Sequence, residues 1–176
     1  VFYLLDREPD TEAAFHRELD QAELSGFHPF ELYRSLTWTP MLIQETLRLY
    51  PPAWIILRET VREANLLGNV FAAGSSFLIS PYALHRSEKV FENPLAFQPE
   101  RFAGSEGEWP RFAYFPFGGG SRGCIGSNFA LMESTLILAT LGKHFRFRRT
   151  DDKPAQPEPL VSLRMKGGLT MRAYSR

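Results

Sequence analysis

Only one cysteine, Cys124, occurs in the 176 residues, so the chain forms no internal disulfide and no zinc cluster of the paired-cysteine type. That scarcity suits a reducing compartment, and the expected location is cytoplasmic. A dominant charge is lacking too. Lys and Arg number 20, Asp and Glu also number 20, and the basic residues are dispersed, which argues against a nucleic-acid partner. No apolar run reaches the roughly 18 residues that a spanning helix needs, so no membrane segment is expected in this chain. The front shows no signal-peptide pattern. It opens on the apolar run Val1 to Leu5 without a capping residue, like a helix entered part-way.

What the chain has is core material: 44% hydrophobic residues and 14% aromatic ones, with 15 Phe, enough for one globular domain. Its chemistry is expected in the stretch Phe117 to Gly126, where Cys124 sits in a glycine-rich loop ahead of a helix built on Leu136-Ile137-Leu138-Ala139. A lone cysteine is commonly a small buried hydrophobe. Four glycines (Gly118, Gly119, Gly120 and Gly123) and Arg122 around it instead suit a metal-bound thiolate, which needs close backbone approach and N–H donors near a helix N-terminus. The same residues, Gly118-x-Gly120-x-x-Gly123, satisfy the G-x-G-x-x-G pattern of an NAD(P)-binding loop. That reading needs a strand ending at the first glycine and an acid about 20 residues on. Pro116 stands in the way of the strand, and the stretch from Leu138 to Lys143 carries no acid.

Phe117-x-x-Gly120-x-Arg122-x-Cys124-x-Gly126 resembles the haem-binding signature of the cytochrome P-450 haem-thiolate monooxygenases. The resemblance implies haem b (iron protoporphyrin IX) with Cys124 as its axial thiolate and metal ligand, Arg122 on a propionate, Phe117 packed beside the sulfur, and Gly118 and Gly126 among the cofactor-binding residues. Glu45 and Arg48, spaced i, i+3, share a helix face and taken alone read as a surface ion pair. Glu45 to Pro52 resembles the family's K-helix signature, however, and Pro99-Glu100-Arg101-Phe102 resembles the segment that supplies a second arginine. Glu45, Arg48 and Arg101 are then expected as a buried structural triad. By the same resemblance Arg58 is a second propionate partner, and Ala53, Trp54, Ile55 and Leu169 are substrate contacts.

Elsewhere, an amphipathic helix is expected from Pro9 to Gly26, with Phe15, Leu19 and Leu24 inward. Glu12, Arg17, Glu18, Asp20 and Glu23 are read as its solvated face and His16 as a surface residue. Thr39-Pro40 is read as the capped start of a second helix that stops at Pro51-Pro52. A strand follows from Ala53 to Val61, with Val70-Phe71 and Phe77 to Ile79 completing the same sheet. Pro81 to Arg86 is a short helix in which His85 is structural, and Phe91 to Tyr114 is ordered coil. Phe145 to Arg148 is a strand, and Val161 to Met165 is expected to pair with Leu169 to Ala173 as a hairpin across Lys166-Gly167-Gly168.

The expected class is mainly α with a small β-sheet (α+β), the C-terminal portion of the P-450 fold, with residues 1–176 forming a partial domain whose upstream half is missing. The implied activity is monooxygenation of an apolar small molecule with O2. Electrons would come from a redox partner, a ferredoxin or flavin reductase, docking near Arg111 or Lys143. A peroxide-driven or isomerising haem-thiolate enzyme would carry the same motifs, and a haem-binding or structural fragment without catalysis is the non-enzymatic alternative.

Overall fold

Proline, which lacks an N–H and has a preset φ, opens several helices of the computed structural model, which describes residues 1–23, 26, 28–104 and 109–176. The helices are α1 (Phe2–Leu5), α2 (Pro9–Gln21), α3 (Pro29–Ser35), α4 (Trp38–Leu49), α5 (Pro81–Leu84) and α6 (Ser127–His144). Single 3-10 turns cover Pro99–Phe102 and Gly120–Arg122. Helix α2 ends at Gln21, short of the predicted Gly26, and Leu24 lies outside the described residues. Phe15 and Leu19 of α2, Leu42 and Leu49 of α4, and Leu138 and Ala139 of α6 form the core, with Leu5 of α1 and Leu32 of α3. Helices α2 and α6 approach so closely that a Cβ at Gly142 would lie 2.3 Å from the Phe15 ring, so only glycine fits there.

The strands pair two by two, all antiparallel: β1 (Ile56–Glu59) with β4 (Ser76–Ile79), β2 (Ala64–Leu66) with β3 (Asn69–Phe71), β5 (Phe145–Arg149) with β8 (Met171–Ser175), and β6 (Pro157–Pro159) with β7 (Leu163–Met165). Two expectations are corrected. Val70-Phe71 does not extend the β1–β4 pair; positive φ at Leu67 (51°) and Gly68 (82°) closes β2 and β3 on each other as a hairpin of the type I′ sense. Nor do Leu163 to Met165 pair with the last strand. Gly168 N–H reaches the Met165 carbonyl (3.1 Å) with positive φ at Gly167, the type II sense, which splays the flanking strands. Strand β7 therefore turns back on β6, and β8 pairs with β5 in the register Phe147↔Ala173.

The solvated face expected on α2 is largely engaged. The Glu18 carboxylate accepts the backbone N–H groups of Thr37, Trp38 and Thr39 at 2.6, 2.6 and 2.8 Å, satisfying the free donors at the start of α4 from another helix. Thr39 is consequently inside α4 and buried, its hydroxyl donating to Glu18 (2.5 Å), and Thr37 precedes the helix. Glu12 is buried and takes two bonds from the Arg148 guanidinium, at 2.7 and 2.6 Å. Asp20 pairs with Arg176. His16 is buried rather than exposed, 3.6 Å from Glu12, with burial holding its pKa below the usual value.

Glu45 and Arg48 are fully buried on α4. Glu45 Oε2 accepts Arg48 Nε–H (2.7 Å), while Oε1 accepts Arg48 Nη2 (2.8 Å), the Gln98 amide (2.9 Å) and Arg101 Nε (3.1 Å). The other Arg48 donors reach the carbonyls of His85 (2.7 Å), Pro94 (2.7 Å) and Ala96 (3.0 Å). One guanidinium thus ties α4 to three points of a coil that has almost no regular structure of its own.

Removing one member of this group leaves a charge buried and unpaired. Glu45→Ala and Arg48→Ala are expected to lose about 3–5 kcal/mol in urea unfolding. Arg101→Ala should lose less, because its side chain reaches the surface and Glu45 keeps Arg48 as its partner. Equal losses at all three positions would contradict this hierarchy. At Glu12, burial raises the carboxyl pKa, but the hydrogen bonds and charge of Arg148 outweigh it and hold it below the ordinary 4.5. The stabilisation is therefore complete above that value and is lost as pH falls through the lowered one. Urea midpoints of the wild type and Glu12→Gln should converge on acidification; a gap independent of pH would refute the assignment.

Candidate functional site

The coil from Trp109 to Gly119 enters the cysteine loop with no strand before its first glycine, so the strand–turn–helix unit of a dinucleotide site is not formed among the described residues. Gly118 and Gly120 adopt φ of 72° and 68°, conformations that a Cβ disfavours. A Cβ at Gly119 would lie 2.3 Å from the ring of Phe112, itself at the uncommon φ of 63°. A Cβ at Gly118 would touch Ile56 Cδ1 of β1 at 3.9 Å, so the loop lies against that strand. The loop closes when the Cys124 N–H donates to the Phe117 carbonyl at 2.9 Å, while Gly118 N–H bonds Phe115 O and Gly123 N–H bonds Gly120 O.

Cys124 is exposed, which sets aside the reading of a buried hydrophobe. It stands two residues before Gly126, the residue flanking the start of α6, where a Cβ would approach the sulfur to 3.9 Å. No N–H among the described residues donates to the sulfur; what α6 supplies is its positive end nearby rather than a direct bond. Helix α6 is buried on one side only: Thr135, Leu138, Ala139 and Gly142 are inside, but Ile137 and Phe129 are exposed, as is Ile125 beside the cysteine.

Beside this loop a cleft of about 320 Å³ is walled by Ile56, Ile79, Leu84, Phe112 and Phe115, with Gly119 at its edge and Arg58 as its one charged residue. Arg58 bonds the Leu57 carbonyl (2.8 Å), and no carboxylate among the described residues pairs with it, Glu63 included. Arg122 is exposed on the 3-10 turn, equally without an acidic partner among the described residues. Phe117 is half-buried and holds the Cys124 amide through its carbonyl.

The other expected site residues are dispersed. Trp54 donates its indole N–H to Leu160 O (2.8 Å), and neither it nor the neighbouring Ala53 and Ile55 lines the cleft. Leu169 is partly exposed after the Gly167-Gly168 turn and does not line it either. Lys143 turns inward to the carbonyls of Leu19 (2.5 Å) and Ala22 (3.2 Å) at the end of α2, which removes it from an expected docking surface. Arg111 remains exposed, stacked 4.9 Å from the Phe112 ring centroid.

The contacts of three residues could not be read from local sequence. Phe112 and Phe115 belong to an aromatic-rich coil whose abundance was visible but whose targets were not. His85, fully buried, accepts the Phe115 N–H at Nε2 (3.0 Å) and gives its own carbonyl to Arg48. Burial, with the charges of Arg48 and Arg86 adding to it, holds its pKa at about 4, so the ring is neutral.

The fit to the implied cofactor can be judged from these donors. Among the described residues no three His, Cys, Asp or Glu side chains are placed to chelate an ion, so iron held at Cys124 must bring most of its coordination sphere with it. An exposed thiol, an apolar cleft edged by glycine backbone, and arginines that meet no carboxylate among the described residues suit a flat, apolar macrocycle with anionic edges. The residues present therefore fit a haem.

Comparison with known proteins gives the family. The family model described as cytochrome P450 matches residues 1–171. Cyclooctatin synthase of Streptomyces melanosporofaciens is 40% identical over 165 residues, covering 93% of this chain and 36% of that protein. Cyclooctat-9-en-7-ol 5-monooxygenase of the same organism is 43% identical over 150 residues, covering 84% and 32%. Pentalenene oxygenase of Streptomyces avermitilis is 34% identical over 178 residues, covering 100% and 39%. The chain spans about a third of the length of these curated relatives. With nearly every residue inside the family match, the chain belongs to the cytochrome P450 family.

Proposed function

We propose that residues 1–176 are the C-terminal part of a haem-thiolate monooxygenase domain, in which Cys124 is the axial ligand of haem b and an apolar organic substrate receives one atom of O2. The observation that carries this reading is the exposed Cys124, held by the Phe117 carbonyl in a glycine loop whose Gly119 edges an apolar cleft that contains Arg58. Two of the relatives are named for oxygenating cyclooctat-9-en-7-ol and pentalenene, which favours the same reaction class here.

Bound at Cys124, the haem supplies dioxygen activation and oxygen transfer. The chain's own residues set the conditions. Cys124, close to the positive end of α6, contributes the axial ligand. Arg58, and Arg122 from the loop side, offer the two carboxylates of a haem edge guanidinium groups that pair with no carboxylate among the described residues. Ile56, Ile79, Leu84 and Phe115 keep water from the apolar face. Gly118 and Gly126 let the loop pass close to a flat ligand, and Phe117 fixes the cysteine backbone. Glu45, Arg48 and Arg101 act as structural supports.

Electrons would arrive from a ferredoxin or flavin reductase docking on the cysteine side, where Arg111 remains available. No helix among the described residues is long and apolar enough to cross a membrane. Ala53, Trp54, Ile55 and Leu169 stay as proposed substrate contacts, formed outside the cleft. A haem-binding piece without catalysis of its own is the second reading, since the chain covers only about a third of its relatives' length.

After haem reconstitution, the reduced, carbon-monoxide-bound protein should show a strongly red-shifted Soret band that Cys124→Ala abolishes. Arg58→Leu should keep the band position but weaken haem retention about ten-fold, the scale of one charge-assisted hydrogen bond. A band that survives in Cys124→Ala would sink the ligand assignment; a correct band without turnover on apolar alkenes would select the second reading.

A further inference from the structure

We propose that His85 is a positioning residue for the cysteine loop, its Nε2 acting as the acceptor that fixes the Phe115 backbone and, through it, the segment that holds the Cys124 amide. The consequence for the cofactor rests on the assignment of Cys124 above; the linkage itself does not.

The path is continuous. Arg48, locked on Glu45, donates from Nη1 to the His85 carbonyl at 2.7 Å. The His85 ring accepts the Phe115 N–H at 3.0 Å. Two residues on, the Phe117 carbonyl accepts the Cys124 N–H at 2.9 Å. Since Gly118 and Gly120 make the intervening loop permissive, its entry must be fixed from outside, and at the Phe115 backbone the His85 ring does so.

A packing role alone does not account for a histidine here. The ring is enclosed by Phe91, Tyr114 and Phe115, with centroids 6.5, 5.3 and 5.2 Å away, a cage that a phenyl ring would fill as well. With Nε2 accepting, the proton of the neutral ring sits on Nδ1, which is buried and has no partner among the described residues. An apolar ring would avoid the cost of that orphaned donor. What histidine adds, and phenylalanine cannot, is the acceptor at Nε2. Protonation would turn that acceptor into a second donor facing an N–H, and would put a charge beside Arg48 and Arg86 and near Tyr114, with Glu45 screened behind Arg48.

The test combines the unmutated protein with two variants. In the unmutated protein, ¹⁵N NMR of the His85 ring should show the proton on Nδ1 and a bare Nε2, unchanged between about pH 7 and about pH 5. His85→Phe should raise Phe115 amide exchange about ten-fold or more and speed alkylation of Cys124 by iodoacetamide in the haem-free protein. His85→Gln, whose amide oxygen reaches a similar position, should restore both toward wild type. After haem loading, His85→Phe should yield a larger share of carbon-monoxide adduct without the red-shifted band. A proton on Nε2 in the unmutated protein overturns the proposal, and so do Phe and Gln variants that behave alike. If neither variant folds, the ring tautomer decides. Absence of the red-shifted band in the unmutated protein counts against Cys124 as ligand and leaves the exchange and tautomer results to judge His85 separately.

Discussion

The Glu45 carboxylate is a full charge with no exposure to water, and much of the structure follows from satisfying it. A buried ion pair is tolerated only when its remaining donors and acceptors are also matched. Arg48 meets that condition completely. Two of its five N–H groups serve Glu45, and the rest serve the carbonyls of His85, Pro94 and Ala96. Arg101 and the Gln98 amide complete the carboxylate. Residues 85–101 have no ladder and little helix to bond their own backbone, so the charged pair on α4 takes the place of secondary structure there. The Phe91 ring, 5.1 Å from the guanidinium, closes the site from the apolar side.

That anchoring propagates because the next stretch is aromatic. Phe102, Trp109 and Tyr114 meet edge to face or tilted, with centroids between 5.0 and 6.4 Å, and the Tyr114 hydroxyl bonds the Gln44 carbonyl next to Glu45. Burial raises the Tyr114 phenol well above its usual pKa, so it stays a donor at every ordinary pH. Rigid rings with few torsions lose little entropy on ordering, which suits a coil that must hold one conformation. The glycine loop inherits that order at Phe115 and Phe117 and closes on them through the N–H groups of Gly118 and Cys124.

Legibility in the sequence divides along sequence separation. Helices α2, α4 and α6 were visible because apolar spacing and proline starts are local signals, and the Glu45–Arg48 pair because i, i+3 geometry is fixed by the helix. The family signature located Cys124. What stayed hidden is which distant group a charged side chain meets. Glu18 reads as solvated until α4 is placed beside it, and Glu12 until Arg148, 136 residues later, reaches it. The hairpin error has the same origin: Lys166-Gly167-Gly168 carries turn residues, but the type II sense and the availability of β5 are properties of the assembled chain. Trp54 was read by its apolar face, whereas its indole N–H is committed to Leu160.

The position of the thiol is therefore set from two directions. Upstream, the Glu45–Arg48 pair acts through His85 on Phe115. Downstream, Cys124 leads into α6, whose 18 residues run about 27 Å to an end clamped in the core. There Gly142 admits the Phe15 ring, and Lys143 donates to the last carbonyls of α2. The same helix is buried at its far end and open at its near end, where Ile125 and Phe129 are exposed. A glycine loop strung between two independently fixed ends keeps its backbone freedom for close approach to a ligand while losing the freedom to wander. That explains how the most permissive residues in the loop can still hold Cys124 in one place.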